Sequence, residues 1–205
     1  MRRLCDHSEG TSVLEIITYP HPTLRYRSKP IQRVDNELRQ IVAKMFELMY
    51  EAKGIGLAAN QVDLPLRLFV CNLTAEPNPA EEHVFINPVI DRPRGSEEGE
   101  EGCLSLPGLY APVVRPATVR VKAYDLAGTL FDADVDGLFG RVIQHETDHL
   151  DGVLFIDRLT EMRRHDVAGA LGEFELEFRS RREQGGIGSD EQILARLAEW
   201  EARYC

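Results

Sequence analysis

The sequence predicts a chain of mixed helices and strands: two helical periodicities bracket four β-rich runs, and the second helix carries the spacing of a metal site. The first helix covers NELRQIVAKMFELMYEAKG, residues 36–54. Leu38, Ile41, Val42, Met45, Leu48 and Met49 recur there at steps of three and four, one helical face, and Gly54 is the expected stop. Four β-rich runs follow: LRLFVCNL (66–73), EHVFINPVI (82–90), ATVRVKAYD (117–125) and GTLFDADVDG (128–137). Asp125 to Gly128 reads as a hairpin connection between the last two. A second helix, about Leu138 to Leu150, closes at Asp151-Gly152.

Past Asp157 the chain turns charged and helix-favouring, weakened at Gly169 and Gly172, and GGIGS then reads as a linker. SDEQILARLAEWEARYC opens on Ser189 with Gln192 three residues later, a capping-box signature. Ile193, Leu194, Leu197 and Trp200 form an apolar stripe, which predicts a terminal helix docked on the body. The expected organisation is one domain over residues 11–165 and a C-terminal helical extension over 166–205.

Bulk properties narrow the function. With 34 acidic and 24 basic residues the formal net charge is −10, which argues against sequence-specific nucleic-acid binding. No stretch approaches the roughly 18–20 apolar residues of a membrane span. The opening MRRLCDHSEGTSVLEII lacks the apolar run of a signal peptide. Cys5, Cys71, Cys103 and Cys205 follow no pairing pattern, so reduced thiols in the cytoplasm are expected.

The chemistry concentrates in GRVIQHETDHLDG, residues 140–152. His145 and His149 lie one helical turn apart, able to reach one ion. Glu146 sits about 100° around the helix, suited to be a general base. Leu138 and Val142 continue the histidine face, which is therefore expected to point inward. A catalytic site usually needs a third protein ligand. The histidine that would complete a metzincin is replaced by Phe155. A thermolysin-type endopeptidase would take a glutamate downstream, Glu173 or Glu175. Upstream, EEGCLSLPG (100–108) offers Cys103, and its flanks of acid, glycine and proline predict a loop that holds a thiolate at a cleft. A thiolate favours iron or zinc over magnesium or calcium. GIGLAANQV (54–62) lets backbone approach a ligand closely and ends near the Gln61 amide.

Taken in order, GIGLAANQ, EGCLS and QHETDHLDG resemble the three signature motifs of the peptide deformylases. The likeness extends over ITYPHPTLRYRSKPI (17–31) and covers about residues 14–160. It implies an α+β fold, with mixed, mainly antiparallel strands around a central metal-bearing helix. It implies Cys103, His145 and His149 as ligands of one divalent ion, Fe(II) in cells, with zinc, nickel or cobalt as substitutes. It also implies Glu146 as the acid/base, and Gln61 with the Leu104 N–H as oxyanion donors. Ile55 and Gly56 would line the bound peptide. Tyr110 stands near the methionine pocket, where several members have arginine, and Lys53 where an acid is common. The implied activity is removal of the N-formyl group from the initiator methionine of nascent peptides; for a contact with the ribosome surface, the basic cluster RLTEMRRH (158–165) is the candidate, against an ordinary solvated helix face. A non-catalytic homologue that holds a structural metal is the non-enzyme alternative.

Overall fold

The computed structural model describes residues 14–78 and 80–205; Cys5 and the expected domain start at 11–13 lie outside the described residues. Helix α1, Asn36–Glu51, begins where the Asp35 carboxylate accepts the Leu38 N–H at 2.9 Å. It buries Leu38, Ile41, Val42, Met45 and Met49, the face its spacing predicts. It does not stop at Gly54. Lys53 takes the left-handed conformation that turns the chain (φ 56), and Gly54 has another role. A methyl group on Gly54 would meet Leu104 Cδ1 at 2.6 Å, so the glycine lets the next motif approach.

Seven strands follow in chain order: β1 (Gly56–Ala58), β2 (Leu68–Cys71), β3 (His83–Arg94), β4 (Glu97–Cys103), β5 (Leu106–Arg115), β6 (Thr118–Tyr124) and β7 (Leu130–Asp136). Five of them form one sheet in the order β1-β2-β3-β6-β7, every pair antiparallel. The β6–β7 turn matches its prediction. Asp125 caps it by accepting the Ala127 and Thr129 N–H groups, and Gly128 supplies φ 81. The remaining pair, β4–β5, makes a separate hairpin. That hairpin corrects the loop expected around Cys103: the cysteine ends a strand, and Leu104-Ser105 is the turn. Proline and glycine in LPGLYAP hide the strand character of β5, whose apolar Leu106, Leu109, Ala111 and Val113 nevertheless face inward.

Helix α2, Gly137–Leu150, packs against the five-stranded sheet, and Arg141, His145 and Asp148 bond Glu101 and Arg115 of the β4–β5 hairpin. Every residue from Val142 to Leu150 is buried, and among the described residues Glu146 Oε2 and His149 Nδ1 have no hydrogen-bond partner there. Val142, Ile143 and Leu150 pack on Ala58, Phe69, Cys71, Phe85, Val119 and Val121 of the five-stranded sheet. Phe155, at the position a metzincin gives to histidine, stacks on His145 with ring centroids 6.2 Å apart. Leu138 departs from expectation. At the first turn of α2 it is 54% exposed, on the lip of a cleft rather than inside.

Helix α3, Glu161–Glu183, runs unbroken through Gly169 and Gly172 and across residue 165. Basic residues just before and inside its start are committed to the body: Arg158 pairs with Asp148, and Arg163 with Glu98 and the Pro112 carbonyl. Helix α4, Asp190–Tyr204, carries the predicted capping box of Ser189 and Gln192. It docks on the body through buried Ile193, Leu197 and Tyr204, while Leu194 faces solvent. Full burial of such a side chain is worth about 1.5–3 kcal/mol.

Candidate metal centre

Helix geometry brings His145 and His149 to one side of α2, and the end of β4 delivers Cys103 to the same point. One donor atom from each lies within 4.8 Å of the others, and among the described residues these three form the group able to hold an ion. Cys103 Sγ is 3.3 Å from His149 Nε2. Bonds of about 2.3 Å to sulfur and about 2.0 Å to nitrogen at a tetrahedral angle separate donors by roughly 3.5 Å, so the donor set fits a divalent ion. Glu173 and Glu175 are exposed on α3, and Glu175 accepts from the Tyr19 hydroxyl instead.

The electrostatics suit the same ion. Burial pulls His149 well below its usual range, which keeps it neutral as a ligand must be. Burial opposes charge on His145 too, but hydrogen bonds to Cys103 and Glu101 win and push it up to about 10. That position draws positive charge, which a metal ion supplies while displacing the proton. Glu101 Oε2 sits 2.9 Å from His145 Nδ1, orienting the ring so that Nε2 remains for coordination.

Glu101 is itself part of a buried network missed at the level of sequence. Burial would raise its carboxyl, yet Arg115 and His145 hold it far below the usual carboxylate range. Arg115 grips it in two places, at 2.6 and 2.8 Å, and bonds Asp148 of α2 at 2.7 Å. Arg141 adds a third donor at 2.8 Å. The network thus ties β4, β5 and α2 together around the ligands. The glutamate two residues before Cys103 was a visible signal; its arginine partner, fourteen residues downstream of it, was not.

A cleft of about 730 Å³ opens beside the ligands. Ile55, Gly56, Gln61, Leu104, Tyr110 and Glu146 all line it together with Cys103 and His145. Tyr110 is 64% exposed at its mouth and packs over Gly102. Gln61 is pinned by its own loop: its Oε1 accepts the Ala58 N–H at 2.8 Å, so Nε2 faces Cys103 Sγ at 3.4 Å and Ser105 Oγ at 3.2 Å. Burial pushes the Glu146 carboxyl up to about 7, and its Oε2 is buried without a partner among the described residues. A methyl on Gly56 would come within 2.4 Å of Glu146 Oε1, so only glycine leaves room for the acid.

A family model described as polypeptide deformylase matches residues 13–165, all three motifs included. The chain belongs to the peptide deformylase family. A peptide deformylase of Rhodopirellula baltica is 49% identical over 191 residues, 93% of this chain and 95% of its own. That match reaches into the C-terminal helices. One from Brucella suis is 47% identical over 157 residues, 76% of this chain and 90% of its own. A plant peptide deformylase structure superposes with a TM-score of 0.80 at 40% identity, covering 89% of this chain and 98% of that one. A Plasmodium falciparum deformylase gives 0.79 at 39% identity, over 81% and 98% of the two chains. The activity is that of a deformylase, a metallohydrolase that removes N-formyl groups from peptides. Neither the endopeptidase nor the non-catalytic alternative is favoured. Among the described residues no helix is long and apolar enough to cross a membrane.

Proposed function

We propose that this deformylase acts on the initiator formyl-methionine of new polypeptides, in the cytoplasm, with Fe(II) as the ion held by Cys103, His145 and His149. Zinc, nickel or cobalt would serve as substitutes. The convergence of one sulfur and two imidazole donors within 4.8 Å carries the reading. When bound, the ion supplies Lewis acidity toward water and the formyl oxygen. Glu146 takes the proton of the attacking water and returns it to the departing amine; a carboxyl held near neutrality suits both tasks. As charge develops on the formyl oxygen, the Gln61 Nε2–H and the Leu104 N–H donate to it. Gln61 enters this role pre-set, because Ala58 already fixes its amide. Ile55 and Gly56 run along the peptide, and Tyr110 stands where the methionine enters.

In this reading residues 11–165 do the chemistry and 166–205 are an added helical unit. A contact with the ribosome surface would use basic residues other than Arg158 and Arg163, which already pair with Asp148 and Glu98.

The test is formate release from a formyl-Met peptide, with metal content measured on the same sample. Cys103→Ala should lose both metal and formate release, whereas Glu173→Ala and Glu175→Ala should keep both. A metal-replete, active Cys103→Ala protein would reverse the ligand assignment.

A further inference from the structure

Gln61 lies on a short 3₁₀ turn, Ala59–Val62, whose outer side is held from two directions. The segment before α1 holds it first. Ile17 N–H donates to the Gln61 carbonyl at 2.8 Å. Asn60 donates to the Tyr26 carbonyl at 2.7 Å and accepts from Ser28 Oγ at 2.7 Å. The same segment reaches the other motif loop, since Tyr19 N–H donates to the Ser105 carbonyl at 2.9 Å. Helix α4 then clamps that segment: Glu201 accepts from the Tyr26 hydroxyl at 2.9 Å and from Lys29 Nζ at 2.6 Å.

One residue of α4 reaches the turn directly. Arg196 pairs with the carboxylate of Asp63, which stands two residues after Gln61 and also accepts from Thr23 Oγ1. Asp63 closes the 3₁₀ turn in the left-handed conformation, φ 63 and ψ 32. Aspartate is one of the few residues other than glycine that adopt that conformation, and it is held there where the surroundings over-determine it. The two bonds to its carboxylate do that here.

We propose that Arg196 is a positioning residue for the deformylase reaction: through Asp63, the C-terminal helix holds the turn that aims the Gln61 amide. The extension is then a brace on the oxyanion site, not a free appendage. This rests on the oxyanion role of Gln61 proposed above, and the experiment separates the two ideas.

The parent, Arg196→Ala, Gln61→Leu and the double variant are compared as metal-replete enzymes for kcat, KM and metal content. Gln61→Leu should lower kcat by about 10²–10³-fold, the cost of one oxyanion donor. Arg196→Ala should lower kcat by about 3–10-fold, below the ~10²-fold of a 1 Å misplacement, with KM and metal content unchanged. Arg196→Lys should recover most of the loss, and Asp63→Asn, close to isosteric, should reproduce it. In the Gln61→Leu background Arg196→Ala should change nothing further, because the group it positions is gone. Parent-like kcat in Arg196→Ala, or an equal loss in both backgrounds, overturns the inference and leaves the Gln61 role intact. Parent-like kcat in Gln61→Leu overturns both.

Discussion

The two halves of the candidate metal centre reach the same point by different means. On α2, one turn of helix sets His145, Glu146 and His149, and burial from Val142 to Leu150 fixes the whole unit. Cys103 comes from the end of a two-stranded hairpin and is only half buried. Nothing local fixes its distance to the histidines. That distance depends on the register between hairpin and helix, and the Glu101–Arg115–Asp148 network sets it from both sides. A helix-borne site is specified by sequence spacing; a hairpin-borne ligand is specified by its tertiary partners.

The helical half predicts that chemistry and metal binding are separable. Glu146→Gln keeps the shape but not the base, so turnover should fall by at least about 10²–10⁴-fold while metal content stays at parent level. The same variant has a pH signature in the metal-free protein. The Glu146 carboxyl rises from 4.5 to about 7 on folding, so the unfolded chain ionises first as pH increases. The parent therefore loses stability between about pH 4.5 and 7, by up to about 3 kcal/mol, and the glutamine variant does not. Urea midpoints of both proteins across that range check the sign. Parallel curves would mean that the folded carboxyl titrates normally.

The hairpin half predicts the opposite coupling. Glu101→Gln touches no ion, yet it weakens the hold on His145 and leaves Arg115 and Arg141 facing a neutral amide. Metal affinity should fall by about 10–100-fold, the usual effect of removing a ligand's hydrogen-bond partner. Competition with a chelator of known affinity measures it. Unchanged affinity would mean that α2 alone orients its histidine.

This contrast also explains what the sequence made legible. Helices α1, α2 and α4 were readable because their apolar residues repeat with the helical period, and Ser189 and Gln192 marked a start. The β6–β7 hairpin was readable from Val119, Val121 and Ala123 alternating inward and from the turn at Gly128. Strands β4 and β5 were not. EEGEEGC has almost no apolar alternation, because the face that turns inward carries Glu101 and Gly99, which lies beneath Arg141, while Gly102 on the other face lies beneath Tyr110. Leu138 misled for a related reason: the helical period says which side a residue faces, not whether a cleft opens there. The candidate ligands and base were proposed from three motifs, whereas Arg115 was not, since its partners are fixed only by folding.

The smallest expected effect gives the finest comparison, two glycines two residues apart, one just before β1 and one opening it. A methyl on Gly56 would meet Glu146 Oε1 at 2.4 Å and its carboxyl carbon at 2.9 Å. The acid is buried, so it has nowhere cheap to move. A methyl on Gly54 would meet Leu104 Cδ1 at 2.6 Å, the far end of a flexible side chain at the edge of the cleft. Neither glycine adopts the left-handed conformation, so backbone strain does not distinguish them. Gly56→Ala should displace the base and lower kcat by about 10-fold or more, since catalysis is sensitive to misplacement on the ångström scale. Gly54→Ala should be absorbed by rotation of Leu104, with kcat changed by less than about 3-fold and a stability loss of about 1 kcal/mol. Metal content should stay at parent level in both, because neither methyl touches a ligand. Steady-state kinetics beside metal analysis decides the matter. If Gly54→Ala proved the more damaging of the two, the hairpin turn at Leu104 would be the stiffer side of the site, and the contrast between helix and hairpin would be reversed.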